Sequence, residues 1–136
     1  MSEASRRQNV YSGTPWEPLV AYCRAKRVGA HVFVSGTVAV DEQGNSVGAG
    51  SMLEQARFIL GKIERALGAC GASLSHVVRT RMFVTDLDRF DEVAQAHREA
   101  FAGIDPVATC VEVSRLVRPE LWIEIEVDAL LDDVGA

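Results

Sequence analysis

The stretch LWIEIEVDAL, Leu121–Leu130, decides how this chain folds. Side chains alternate across a strand, so Ile123, Ile125 and Val127 fall on one side and Trp122, Glu124, Glu126 and Asp128 on the other. One row belongs in a core. The other, a run of carboxylates beside a tryptophan, belongs on a face that no helix of the same chain covers. The stretch PVATCVEV, Pro106–Val113, repeats the pattern: Val111 and Val113 oppose Cys110, Glu112 and Ala108. By hydrophobicity the valines are expected beneath helices, with Cys110 and Glu112 joining the row of Glu124 and Glu126 on the open face.

The rest of the chain supplies the cover for one face only. From Ser51 the apolar period changes to that of a helix, with Met52, Ala56, Ile59, Ile63, Leu67 and Cys70 on one stripe. Ser51 and Glu54 form a capping-box pattern, and Gly71 follows the last turn. A second helix is predicted where Phe90, Val93, Ala94, His97 and Phe101 share a face, with Asp86 or Asp88 as cap and Gly103 as stop. LVAYCRAKRVG and HVFVSGTVAV read as a hairpin around Gly29, HVVRTRMFVTD as a strand, and Val107–Arg115 and Leu121–Leu131 as the final pair. The first 18 residues, ending SGTPWEP, read as an irregular arm. The order β-β-α-β-α-β-β predicts an α+β fold: a single sheet with two helices on one face. The bare face, carrying Trp122 and Phe33 or Val34 among its charges, is expected to be covered by further copies of the chain.

With 136 residues the chain makes one domain, 1–136, able to bury roughly two-thirds of its unfolded surface. A net charge of −5 argues against nucleic-acid binding, since only the run CRAKR concentrates positive charge. Three cysteines at unrelated spacings point to a reducing, cytoplasmic setting rather than a disulfide framework. No stretch of about 18 apolar residues is present to span a membrane. Three histidines and three cysteines never approach ligand spacing, so no metal site is expected.

Several side chains carry chemistry under one reading and structure under another. Clustered Glu112, Glu124 and Glu126 would either raise a pKa or form a charge ladder with Arg24 and Lys26, or with Arg79 and Arg81. Cys110 is a nucleophile or an inert small hydrophobe that lines a pocket. His97, on an apolar helical stripe, reads as a core histidine more than a catalyst. Tyr22, beside Arg24, is a packing residue or a pocket wall.

Taken together, AYCRAKRVGAHVFVSGTVAVD, SMLEQARFILGKIERAL, VVRTRMFVTDLDRFDEV, PVATCVEVSRL and IEIEVDAL resemble the Rid family, the YjgF-like reactive intermediate deaminases. The resemblance runs from about Val20 to Leu130. It implies a chorismate-mutase-like fold with a single mixed β-sheet, assembled as a homotrimer with clefts between subunits. It also implies cofactor-free hydrolysis of small imines and enamines. Under the same resemblance Glu124 holds the attacking water, Tyr22 and Ser35 shape the pocket, and Cys110 lines it. Where the deaminase branch has a carboxylate-gripping arginine this chain has Ala108, and where it has an asparagine on the second helix this chain has Ala94. Two outcomes follow: a different substrate gripped by Arg24, Arg81 or Arg115, or a pocket that binds metabolites without turnover. Ribonuclease activity, also ascribed to the family, sits poorly with the acidic charge.

Overall fold

A computed structural model describes residues 6–132. The carboxyl-terminal strand β6 (Ile123–Leu130) lies near the centre of a six-stranded sheet of order β1-β2-β3-β6-β4-β5. Its neighbours are β3 (His31–Thr37) and β4 (Val77–Val84), both antiparallel to it. Outside β3 come β2 (Ala25–Val28) and β1 (Arg7–Val10), while β5 (Val107–Glu112) runs parallel to β4 as the other edge. The sheet is therefore mixed, and helices α2 (Met52–Ala69) and α3 (Phe90–Phe101) cover one of its faces.

The alternation of β6 is realised as predicted. Ile123, Ile125, Val127 and Ala129 are buried under the helices with Met52, Ile59 and Ile63 of α2 and Phe101 of α3, whereas Glu124, Glu126 and Asp128 stay partly exposed opposite. Each large apolar side chain so buried contributes about 1.5–3 kcal/mol, and this core is what fixes the helices to the sheet. Ser51 caps α2 through its side chain, which accepts from the Glu54 amide at 3.1 Å. Asp86 accepts from the Asp88 amide, capping a one-turn segment, Leu87–Arg89, that leads into α3. Gln55, wholly buried, ties the chain entering β6 to α2: its amide donates to the Gly48 and Glu120 carbonyls and its oxygen accepts from the Trp122 N–H.

Two expectations need correction. The amino-terminal arm is not irregular: β1 extends the sheet, and a short helix α1 (Trp16–Val20) follows. Pro18 is tolerated there because an N–H in the first helical turn would lack a partner anyway. Ala21 then closes α1 in a left-handed conformation, φ 70°, with its amide on the Glu17 carbonyl. The strand expected over LVAYCRAKRVG is accordingly cut down to Ala25–Val28.

The second correction concerns β5. Cys110 pairs with Met82 and Ala108 with Thr80, and both of those β4 residues are buried on the helix side. Ala108, Cys110 and Glu112 thus share the face of α3, while Val107 and Val111 point to the open face and are 58% and 41% exposed. Alternation identified two rows, but hydrophobicity assigned them backwards. An edge strand is only half covered, so its phase follows the register with β4 rather than the burial of its valines.

Candidate functional site

The open face holds a charge ladder and one carboxylate that stands outside it. Arg81 reaches Glu126 at 3.2 Å and Asp128 at 3.5 Å, and Arg79 approaches Asp128 at 3.9 Å. These pairs are solvent-exposed and serve the sheet, with little stabilisation from any one of them. Arg81 is thereby engaged with carboxylates of its own sheet. Glu124, one register step away opposite Phe83, accepts no hydrogen bond among the described residues. Burial pushes its carboxyl above the usual carboxylate range; Arg24 opposes the rise and Glu126 adds to it.

Glu124 lies in a cleft of about 460 Å³ with Tyr22, Arg24, Ser35 and Gly36, lined also by Trp16 and Val117. Four of the sequence-derived site residues are thus brought together: Glu124, Tyr22, Ser35 and Arg24. A β-bulge in β3 between Val34 and Thr37 sets Ser35 and Gly36 off the regular ladder against β6. Gly36 was missed by sequence reading. A Cβ there would overlap the Glu124 carboxylate, standing 3.0 Å even from its carbon Cδ, so the absence of a side chain creates the carboxylate's room. Ser35 does not point a free hydroxyl at the cleft: it donates to the Cys23 carbonyl at 2.7 Å and so fixes the loop that carries Tyr22 and Arg24.

Arg24 is almost wholly buried and spends most of its donors on the fold. Its Nη1 donates to the Gly36 carbonyl at 2.5 Å and to Thr37 Oγ1 at 3.1 Å, and Nη2 donates to the Tyr22 hydroxyl at 3.3 Å. The Nε–H makes no hydrogen bond, and Glu17 Oε2 stands 3.6 Å away. Burial alone would raise the Glu17 carboxyl, but hydrogen bonds from Ser12 and Thr14, with Arg24 nearby, hold it below the ordinary range. Arg24 therefore supports the cleft from behind: it orders Tyr22 and Gly36 and places positive charge beside Glu124.

Cys110 is not in this cleft. Burial raises its thiol, which leaves it a poor nucleophile in this fold. Instead β5 and α3 frame a separate cavity of about 400 Å³, lined by Met82, Phe90, Ala94, His97 and Ala108 among others. Ala94 and Ala108 both line this cavity. His97 hydrogen-bonds Thr80 at 2.9 Å and lies tilted against Phe101, and burial lowers its pKa; it is a half-buried histidine in the cavity wall. Glu112, expected beside Glu124, instead accepts from the Leu87 amide at 2.9 Å. Among the described residues no group of three or more His, Cys, Asp or Glu could hold a metal ion, and no helix is long and apolar enough to cross a membrane.

This combination of a mixed α+β sheet, two helices on one face and a carboxylate cleft on the other defines a class that comparison makes specific. The profile of the family described as endoribonuclease L-PSP matches residues 14–131, and the chain belongs to this YjgF/Rid family. The crystal structure of Rv2704 from Mycobacterium tuberculosis, a YjgF/YER057c/UK114 family member, is similar with a TM-score of 0.85 and 44% identity, over 93% of this chain and all of that one. The 3-aminoacrylate deaminase RutC of Acinetobacter baylyi is 34% identical over 113 residues, 83% of this chain and 88% of its own. An uncharacterized protein of Streptomyces coelicolor, SCO2049, is 34% identical over 129 residues, covering 94% and 93% of the two chains.

Proposed function

We propose that this protein is a cofactor-independent hydrolase of small imines and enamines, with a substrate preference set apart from the carboxylate-gripping deaminases of its family. The observation that carries the reading is Glu124: a half-buried carboxylate with a raised pKa, without a hydrogen bond among the described residues, in the wall of a cleft. Such a group takes a proton from water as the water attacks the C=N carbon, then returns it to nitrogen as ammonia leaves. One water is consumed, and one carbonyl and one ammonia are formed. An iminium carbon is already electrophilic, so positioning the water and shuttling the proton is all the protein must supply. The deaminase activity named for RutC supports the reaction class.

The departure in specificity rests on Ala108 and Ala94. With no guanidinium at position 108, a substrate carboxylate has no bidentate partner on β5. Neutral imines, or imines whose anion lies elsewhere, are the substrates this chemistry favours. We further infer a cytosolic homotrimer. Phe33, Val107, Val111 and Leu130 expose apolar surface on the open side of the sheet, a pattern that further copies would bury. In such an assembly the Glu124 cleft of one copy would be completed by the β5–α3 edge of the next. The three free cysteines suit a reducing compartment.

The test is ammonia release over a panel of enamines, including neutral and aminomuconate-like ones, with Glu124→Gln as control. Turnover reduced about 100-fold or more in that variant is expected; no turnover on any substrate, or undiminished turnover in the variant, overturns the reading. The apolar lining around Ala94 and Ala108 favours one alternative, a metabolite-binding protein without catalysis. Thermal stabilisation by carboxylates that are never converted would establish it. The net charge of −5 and the carboxylates of the open face weigh against ribonuclease activity.

A further inference from the structure

Arg24, which lines the Glu124 cleft, also lines a second cavity of about 420 Å³ between α2, β1 and the loop after β3. Its apolar wall is formed by Val10, Phe58, Ala66 and Ala69. Lys62 and Arg65 reach it from α2, three residues apart and so on the same helical face. Lys62 is only 8% exposed, a degree of burial that lysine rarely reaches unless paired. Its ammonium donates to the Val40 carbonyl at 2.9 Å, which uses one of three N–H bonds. Neither Lys62 nor Arg65 forms an ion pair among the described residues.

Asp41 and Glu42, on the loop after β3, also line the cavity, and the two carboxylates that act on the ammonium, Glu17 and Asp41, already accept hydrogen bonds. Glu17 of α1 accepts from Ser12 and Thr14 and faces Arg24, and Asp41 Oδ1 accepts from the amides of Gln43 and Asn45. Burial lowers the Lys62 pKa to about 8; Arg24 and Arg65 press in the same direction, and Glu17 and Asp41 oppose them. Two cations with spare donors therefore line one hollow that has an apolar wall.

We propose that this cavity binds a small organic anion, its carboxylate held between Lys62 and Arg65 and its hydrocarbon body laid on Val10, Phe58, Ala66 and Ala69. The ligand class is an aliphatic or aromatic monocarboxylate. A carboxylate so placed stabilises the charged amine, so binding takes up a proton near pH 8 and weakens as pH rises above it. The site is distinct from the Glu124 cleft and does not depend on catalysis there.

The test uses the full chain carrying Glu124→Gln, so that the proposed proton shuttle is absent, and follows the Lys62 side-chain resonance, which reports on this cavity, while hexanoate or inorganic phosphate is added. Saturable binding of hexanoate is expected, with the Lys62 pKa rising on binding. Affinity should fall about tenfold in Arg65→Gln and in Lys62→Met, and by up to about tenfold per pH unit above pH 8. Lys62→Met keeps the apolar stem, and Arg65→Gln alters an exposed residue, so at least the second variant folds whatever Lys62 contributes to the core. Hexanoate that never saturates at millimolar concentration, binding indifferent to Arg65→Gln, or phosphate binding as tightly as hexanoate would each overturn the proposal.

Discussion

Replacing Gly36 by alanine adds one methyl group beside the Glu124 carboxylate, and the consequence can be worked from the contacts. The new Cβ would stand 3.0 Å from Glu124 Cδ and 3.4 Å from Cγ, and overlap Oε2, so the carboxylate must swing away. The backbone does not resist: Gly36 is not among the glycines with positive φ. Reduced freedom of the unfolded chain contributes about 0.4–1 kcal/mol in favour of the variant. Driving Glu124 off its preferred rotamer costs about 0.5–1.5 kcal/mol. The two nearly cancel, and stability should change by less than about 1 kcal/mol. Catalysis has no such compensation, because a carboxylate displaced by about 1 Å loses about 100-fold in rate. Ammonia release and urea unfolding on the same preparation check both halves. A third readout needs no substrate: moved toward water, the Glu124 carboxyl loses the burial that raises it, and its titration by NMR should shift down. Wild-type turnover together with an unshifted titration would refute the claim that Gly36 makes room for the Glu124 carboxylate.

Other perturbations follow from the same packing. In Glu124→Gln the sign of the pH effect is fixed: a carboxyl raised in the fold binds its proton more tightly than in the unfolded chain, so its ionisation costs stability as pH rises from about 4.3 through the folded value. The variant should therefore be more stable than wild type by about 1 kcal/mol at pH 8 and indistinguishable from it at pH 3, as unfolding at the two pH values would show. Arg24→Met leaves Glu17 buried without its cation and frees Tyr22, so a loss of about 3–5 kcal/mol is expected in chemical denaturation. It should also raise the Glu124 pKa further, since Arg24 is the charge that restrains it. Ala108→Arg adds a guanidinium to the β5–α3 cavity; preference for carboxylate-bearing over neutral imines should rise about tenfold or more, each tenfold step corresponding to about 1.4 kcal/mol. An unchanged ratio would show that this edge does not meet the substrate.

The alternation of Leu121–Leu130 and the helical stripe beginning at Met52 are enough to define the covered face of the sheet, because strand and helix periods are local properties of the chain. They also put Glu124 on the open side, where it is found. Tertiary structure alone decided which neighbours it has. The pairing of β5 with β4 turned Cys110 toward α3, away from Glu124, since a register between strands distant in sequence outweighs the hydrophobicity of a half-covered edge. Likewise the gap at Gly36, the burial of Arg24 behind it and the hollow around Lys62 depend on chain segments that meet only after folding. Periodicity reports which side a residue faces; which groups face it there is set by long-range pairing and packing.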